Sequence, residues 1–258
     1  MFGRPIYDRA VGDLDAVRSL AMRKLARIRR CGAASYVETS HAFLKSWSDV
    51  AAELLPDLKL VRLVRDPLYV ARSEANRHDL IDWLHLPLAY YRGGDGRRCF
   101  RWSLTGLEPI FQTLACAESP FAERKPTLSR FQWYALQWIE IENRAMRFLD
   151  DYGKHAECFT LHSPHDLNEP QRIGELLDFL QLKRRHSTIQ IGGRRNRNPR
   201  PTVVTDDDRR AFGEVVRLLP ASYLAIFHRH PYAQLPWATL LQPAEPPAHT
   251  PLVERGAP

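Results

Sequence analysis

The segment from Leu58 to Ser73 constrains the fold most, because it combines a buried strand, a sharp stop and the start of a helix. Residues 58–64 are mostly apolar and too few to form a helix of ordinary length. Asp66-Pro67 ends this run, and proline suits the first position of a helix because its φ is preset and it has no amide hydrogen. The pattern predicts a strand over 58–64 and a helix over 67–85, and we expect an α/β fold.

The same corner predicts an anion site. A strand-to-helix corner presents free backbone amides and the positive end of the helix dipole, which both favour anions. Arg65 adds a planar fork of donors that can bind a phosphate bidentately. Ser73 lies eight residues further on, about two turns along the same helix face, and offers a hydroxyl. An ordinary α/β corner with an exposed arginine explains these residues equally well.

The spacing of Arg65, Asp66, Pro67 and Ser73 resembles the 3′-phosphate-binding segment of sulfotransferases. Those enzymes use 3′-phosphoadenosine 5′-phosphosulfate (PAPS) as the sulfuryl donor. The resemblance implies that Arg65 and Ser73 hold the 3′-phosphate of PAPS as co-substrate. It also implies a sulfotransferase-like P-loop nucleotide-binding fold, in which a short parallel β-sheet is flanked by helices.

A second short strand is predicted upstream. Residues 36–39 favour a strand, and Ser40 suits the N-cap of a helix over 42–54. His41 then lies at the carboxyl end of a strand, where open α/β sheets place their ligands.

The resemblance implies a catalytic role for His41, which precedes Arg65 by 24 residues, as the base does in sulfotransferases. An alcohol is a weak nucleophile, and a base with a pKa near neutral removes its proton as the new bond forms. Glu38 is the competing base or the residue that orients His41. Since the chain has ten histidines, the alternative is that His41 is only a helix-start residue with a backbone partner.

Two downstream segments extend the resemblance. Phe179-Leu-Gln-Leu182 ends an amphipathic helix begun by Pro170 and is similar to a Phe-Leu-Gly-Leu-like tetrapeptide of sulfotransferases. Residues 192–201 form a basic loop, and the resemblance makes Arg194, Arg195 and Asn196 candidates for closing over the 3′-phosphate. A solvated run of charges or a nucleic-acid-binding patch is the alternative for this loop.

One part of the sulfotransferase pattern is absent from the sequence. The phosphate-cradling loop that holds the 5′-phosphosulfate has no counterpart, because residues 1–9 contain one glycine and no such loop. The resemblance therefore covers residues 36–182, extends loosely to 201, and describes an N-terminally incomplete fold. Each donor at a leaving oxygen is commonly worth a factor of about 100 to 1,000, so we expect poor catalysis. A misassigned or trimmed start, a degenerate family member, or substitution by Lys45 or Arg4 would each explain this.

Composition sets the remaining expectations. A formal net charge of +7 favours anionic ligands. No motif requires a metal, and the four widely spaced cysteines (Cys31, Cys99, Cys116 and Cys158) predict reduced thiols. No apolar run is long enough to span a membrane, and a cytoplasmic location is expected. The predicted partner is a hydroxyl-bearing acceptor of unspecified class, with no specific nucleic acid; the oligomeric state stays open.

Three functions are consistent with these patterns. The first is PAPS-dependent transfer of a sulfuryl group to an acceptor hydroxyl. The second is a catalytically impaired nucleotide- or polyanion-binding protein. The third is a basic nucleic-acid-binding protein that uses residues Arg23–Arg30 and Arg194–Arg200.

The sequence predicts one domain over residues 1–229 and a proline-rich tail over 230–258. Further helices are predicted over 11–30 and 129–151, and from Thr205, as N-cap, to about 219. Residues 86–102 are rich in glycine and arginine and predict either an acceptor-facing lid or a surface loop.

Overall fold

The structure, a computed structural model, describes residues 3–33, 35–116, 128–183, 188–189, 191 and 202–241. Helices in these residues are α1 (Arg4–Ala10), α2 (Leu14–Arg30), α3 (Phe43–Ser46), α4 (Ser48–Leu54), α5 (Pro67–Trp83), α6 (Pro109–Cys116), α7 (Arg130–Asp151), α8 (Pro170–Phe179), α9 (Asp206–Leu218) and α10 (Ala221–Leu224). The strands are β1 (Leu60–Val64), β2 (Tyr90–Arg92), β3 (Arg98–Phe100) and β4 (Cys158–His162). Short 3₁₀ turns cover Pro87–Ala89, Asp166–Asn168, Ala225–His228 and Pro236–Leu241.

The central sheet is small and parallel, as the sequence predicted. Strand β1 pairs with β4, and Val64 lies opposite His162 at the carboxyl end of both strands. The amide of Ser163 extends the pairing by donating to the carbonyl of Val64 at 2.9 Å. Helix α5 begins at Pro67, as predicted, and the predicted strand is present, but β1 begins at residue 60 and not 58, and α5 ends at residue 83 and not 85. The fold is α/β, with a two-stranded parallel sheet flanked by helices.

The core is built around α7, which packs along α5 and against α9. Its start agrees with the prediction to within one residue. Ser129 is the N-cap, and it forms a capping box with Gln132 in which each side chain bonds the other's backbone amide. Thr205 and Asp208 make the same arrangement at the start of α9. Buried aromatic rings of Tyr134, Phe212 and Tyr232 fill the space between these elements.

Three predicted elements of the N-terminal part differ in the structure. The strand predicted over 36–39 was wrong: this segment is irregular, and Glu38 ties it to α2 through Lys24 at 2.6 Å. The helix predicted over 42–54 is interrupted at Trp47, whose φ of −146° is extended. The helix predicted from residue 11 begins at Leu14, because the Asp13 carboxylate caps it by accepting from the amide of Ala16.

Two boundaries also differ further along the chain. Residues 86–102 contain an antiparallel hairpin, in which Tyr90 pairs with Phe100, so this segment is more than a loop. Residues 230–241, predicted to belong to a tail, pack on the domain, because Tyr232, Trp237 and Leu241 are buried members of the main core. Proline content indicated a tail, but aromatic side chains anchor residues 231–241. Residues 242–258 lie outside the described part.

Candidate functional site

The corner between β1 and α5 holds its predicted residues at the carboxyl edge of the sheet. Arg65 directly follows β1, and Asp66 is the N-cap of α5. The Asp66 carboxylate accepts hydrogen bonds from the amides of Leu68 at 2.8 Å and Tyr69 at 3.4 Å. The expectation of free amides at this helix start was therefore wrong, because the chain's own carboxylate occupies them. An anion bound here must be held by side chains.

Helix α5 turns one face to the core and another away from it. Leu68, Ala71 and Ala75 are buried. Ser73 is two residues from Ala71 and from Ala75, which places it on the opposite side of the helix. Arg77 follows one turn later on that side. Both Arg65 and Ser73 are half-buried, so neither is sealed from solvent, and each makes contacts within the protein.

His41 lies in a positively charged neighbourhood. The residue is exposed, yet the pKa of its imidazole is lowered to about 4. The first cause is loss of water around the ring, and the second is the positive charge of Lys45 and then Arg77. His41 is consequently neutral at physiological pH, which is the protonation state that a general base requires.

Lys45 is the buried cation of this neighbourhood. Its Nζ donates to the carbonyl of Trp102 at 2.6 Å, and the residue is 5% exposed. Burial lowers the pKa of Lys45 to about 8, although the charge of Glu74 opposes this shift. Within the described residues, no carboxylate lies within the 4 Å of an ion pair with Lys45. A positive charge thus stands near His41 without direct neutralisation.

Arg77 adds a second cation next to His41. Its guanidinium pairs with Glu74 on the preceding turn of α5. The Nε of Arg77 is buried and has no acceptor among the described residues. Sequence reasoning missed Arg77, although its position four residues after Ser73 on one helix was a signal that could have identified it.

Glu38 is hydrogen-bonded to Lys24 and Tyr36. Its Oε1 lies 2.6 Å from the Nζ of Lys24, and its Oε2 accepts from the hydroxyl of Tyr36 at 2.8 Å. Burial alone would raise the pKa of Glu38, but the hydrogen bonds from Lys24 and Tyr36 outweigh it and lower the pKa. A carboxylate with a lowered pKa is a weaker base, which makes Glu38 a poorer candidate than His41.

The remaining predicted site residues lie in the basic loop. Arg194, Arg195 and Asn196 fall outside the described residues. The tetrapeptide Phe179–Leu182 is described and ends α8, with Gln181 in the left-handed conformation at a φ of 57°. This is the position at which the resembling sulfotransferases carry glycine.

A polar cleft at the other end of α5 was not predicted. It has a volume of about 590 Å³ and is lined by His78, Ile81, Asp82, His85, Leu86, Pro87, Tyr90, Arg98 and Arg130. The hydroxyl of Tyr134 lies 2.9 Å from Nδ1 of His78, and the hydroxyl of Tyr90 lies 2.9 Å from Nε2. Because Tyr90 also donates to Asp82, its oxygen accepts from His78, and the chain runs from Tyr134 to His78, Tyr90 and Asp82.

A small cluster follows β4. Ligand atoms of His165, Asp166 and Glu169 lie within 4.8 Å of one another. These groups are engaged with each other and with the backbone, since Nε2 of His165 lies 3.0 Å from Glu169 and Asp166 accepts from the amide of His162 at 2.8 Å. Ion pairing accounts for the cluster.

The chain was also compared with known proteins. No family model, no curated protein and no solved structure matches it. Within the described residues, no helix combines the length and apolar character needed to cross a bilayer.

Proposed function

We propose that this protein binds the 3′-phosphate of PAPS with Arg65 and Ser73 and transfers its sulfuryl group to an acceptor hydroxyl. The observation that carries the proposal is the β1–α5 corner. Arg65 stands at the carboxyl edge of a parallel sheet, and Ser73 lies half-buried on the following helix. Ligands of open α/β sheets bind at this edge. In this proposal the nucleotide-binding site is the sulfotransferase-like version of the P-loop architecture.

The charge around His41 supports the same assignment. Lys45 and Arg77 create a positive potential that attracts a polyanionic nucleotide. The bound anion in turn offsets these charges and raises the pKa of His41 toward neutrality, where a base works best. His41 then takes the proton of the acceptor hydroxyl as the O–S bond forms and the bond from sulfur to the 5′-phosphate oxygen breaks. The products are a sulfate ester and adenosine 3′,5′-bisphosphate.

A second candidate is binding without transfer. Residues 4–10 form helix α1, in which Arg4 pairs with Asp8 at 2.7 Å. This segment therefore supplies no cradle for the 5′-phosphosulfate, and Arg4 is already engaged. Lys45 is the better substitute, because it is positively charged, near His41 and without a carboxylate partner among the described residues.

Calorimetry with adenosine 3′,5′-bisphosphate tests whether Arg65 and Ser73 together hold the 3′-phosphate, an arrangement we call the clamp. We expect micromolar binding that weakens at least about tenfold in Arg65→Ala, since a charged hydrogen bond to phosphate is lost, and less in Ser73→Ala. The matched control is Arg210→Ala, because Arg210 is an exposed arginine paired only with Asp207 on its own helix. Equal binding by all variants would contradict the clamp.

Transfer is measured separately with labelled PAPS and a panel of sugar, phenol, lipid and peptide hydroxyls. His41→Ala should abolish transfer while leaving bisphosphate binding nearly unchanged. Binding with no transfer to any acceptor would favour the second candidate. Salt-sensitive binding of duplex DNA without nucleotide binding would instead favour the basic patch at the end of α2.

A further inference from the structure

Four exposed apolar side chains lie close together in sequence at the end of α5. Exposed fractions are 68% for Trp83, 47% for Leu84, 46% for Leu86 and 82% for Leu88. Leu88 and Trp83 are the two most exposed large hydrophobic residues in the described part of the chain. Scattered single exposures need no explanation, but four within six consecutive residues form a patch that indicates an interaction surface.

The patch is presented by a fixed turn. His85 has a φ of 49°, and its amide donates to the carbonyl of Asp82 at 3.0 Å, while the amide of Leu86 donates to the carbonyl of Ile81 at 3.3 Å. This pair of bonds is a Schellman motif, which usually places glycine where His85 stands. The ring of His85 adds a contact to the carbonyl of Trp83 at 2.8 Å. The apolar side chains are therefore held outward by an ordered helix end.

Three arginines of the adjoining hairpin segment lack carboxylate partners among the described residues, and two of them, Arg98 and Arg101, lie next to the patch. Arg98 lies over the ring of Tyr90 at 3.8 Å, and Arg92 donates to the carbonyl of Gly96. Arg101 donates to the carbonyl of Leu88 at 3.0 Å, which fixes a positive charge directly beside the most exposed leucine. Among the described residues, none of these three forms an ion pair, whereas neighbouring Arg97 and Arg130 do.

The apolar patch and the basic hairpin meet in the polar cleft. Leu86 and Pro87 line one part of it, and Arg98 of the hairpin lines another, next to Arg130 of α7, which is paired with Asp82. An amphipathic ligand with a negatively charged head therefore fits both surfaces at once. Exposed tryptophan and leucine next to arginines without carboxylate partners is the composition of proteins that bind at the interface of an anionic bilayer.

We propose that the surface formed by residues 83–88 and the arginines of the β2–β3 hairpin binds anionic lipid bilayers. Trp83 and Leu88 enter the boundary between head groups and acyl chains, and Arg92, Arg98 and Arg101 contact lipid phosphates. This inference is independent of sulfuryl transfer, since it uses none of the residues assigned to the nucleotide.

Co-sedimentation with vesicles tests the proposal, using phosphatidylcholine alone and phosphatidylcholine mixed with phosphatidylserine. The protein should bind the mixed vesicles and release them as salt is added. The double variant Arg92→Gln/Arg98→Gln should bind roughly 30-fold more weakly, because each basic residue near an anionic surface contributes about fivefold. Trp83→Ser/Leu88→Ser should lose about tenfold or more. Val203→Ser is the matched control, as an exposed apolar residue outside the patch.

Brominated acyl chains provide a second readout. They should quench part of the tryptophan fluorescence of the bound protein, and this quenching should fall in Trp83→Phe, which retains an apolar ring. Circular dichroism checks that each variant is folded. The proposal is overturned if the protein ignores anionic vesicles, if Val203→Ser weakens binding as much as the patch variants, or if the patch variants only convert a dimer to a monomer.

Discussion

The amide of Leu68 donates to the Oδ1 of Asp66 at 2.8 Å, so the corner that the sequence assigns to an anion already holds one of its own. This bond occupies an amide at the helix start that could otherwise have donated to a phosphate. Arg65 and Ser73 therefore carry the recognition through their side chains. The relationship also gives Asp66 a measurable structural role.

Substitution of Asp66 should separate capping from charge. Asp66→Ala loses the cap of α5 and should lower the free energy of unfolding by about 1 kcal/mol. Asp66→Asn keeps an acceptor of the same shape and should cost only a few tenths of a kcal/mol. Urea denaturation measures both. Because Asn removes a negative charge beside Arg65, it should also tighten adenosine 3′,5′-bisphosphate binding; weaker binding in Asp66→Asn would count against a phosphate at this corner.

The pKa values of two histidines, His41 and His165, should depart from the ordinary value of histidine in opposite directions. The pKa of His41 is lowered to about 4, first by loss of water and then by Lys45 and Arg77. The pKa of His165 is raised, first by its hydrogen bond to Asp166 and then by Glu169. A pH series of side-chain NMR spectra should show His41 neutral where His165 is already protonated.

A charge-removing variant tests the cause of the His41 shift. Arg77→Gln should raise the pKa of His41, because one of the two repelling cations is gone, and should leave His165 unchanged. Arg210→Gln, far along the chain on α9, is the matched control. Addition of adenosine 3′,5′-bisphosphate should raise the pKa of His41 in the parent protein. If the pKa of His41 does not change when the nucleotide binds, His41 does not lie at the nucleotide site.

The buried ion pair under the sheet gives a pH-dependent stability. The Nη2 of Arg62 lies 2.5 Å from Oε2 of Glu142, which also accepts from the hydroxyl of Tyr232 at 2.6 Å. Burial raises the pKa of Glu142, and Arg62 opposes that shift. Arg62→Met leaves a buried carboxylate without its cation and should cost about 3–5 kcal/mol near neutral pH.

The stability that Arg62→Met loses relative to the parent protein should become smaller as the pH falls. The folded pKa of Glu142 exceeds its unfolded value, so the folded state binds the proton more tightly and ionisation at higher pH destabilises it. The difference in free energy of unfolding between the parent and Arg62→Met should therefore narrow as the pH approaches the ordinary carboxylate range. Urea denaturation across this range measures the effect. Arg62→Met/Glu142→Gln, which removes the charge, should be more stable than the single variant at neutral pH, and its difference in stability from the parent should change little with pH.

Local patterns predicted the helices best, because their signals lie within a few residues. Asp66-Pro67 predicted the start of α5, and Thr205, as N-cap, predicted the start of α9. The strand expected over 36–39 failed because strand formation needs a partner, and β propensity alone does not supply one. Tyr36 and Glu38 instead bond to each other, and Glu38 bonds to Lys24 of α2.

Two site residues that lie on one strand-to-helix unit were predicted, and the contact that the fold makes between this unit and residues 41–45 was missed. Arg65 and Ser73 were identified because one strand-to-helix unit carries both. Lys45 lies four residues after His41, a local spacing that the prediction did not use. Arg77 acts on His41 because the fold brings α5 next to residues 41–45, and no spacing in the sequence encodes that second contact. Tyr232 shows the same limit in the core, since a proline-rich context concealed an aromatic anchor.

The end of α8 offers a stabilising substitution. Gln181 has a φ of 57°, and its amide donates to the carbonyl of Asp178 while the amide of Leu182 donates to the carbonyl of Leu177. A side chain in this conformation is strained, whereas glycine adopts it freely. Gln181→Gly should therefore raise the free energy of unfolding by about 0.5–1 kcal/mol, the relief of strain exceeding the entropy that glycine gains in the unfolded chain. Gln181→Ala keeps the Cβ and should change stability little. Thermal and urea unfolding distinguish the two, and a Gly variant no more stable than the Ala variant would show that α8 does not end on a left-handed residue.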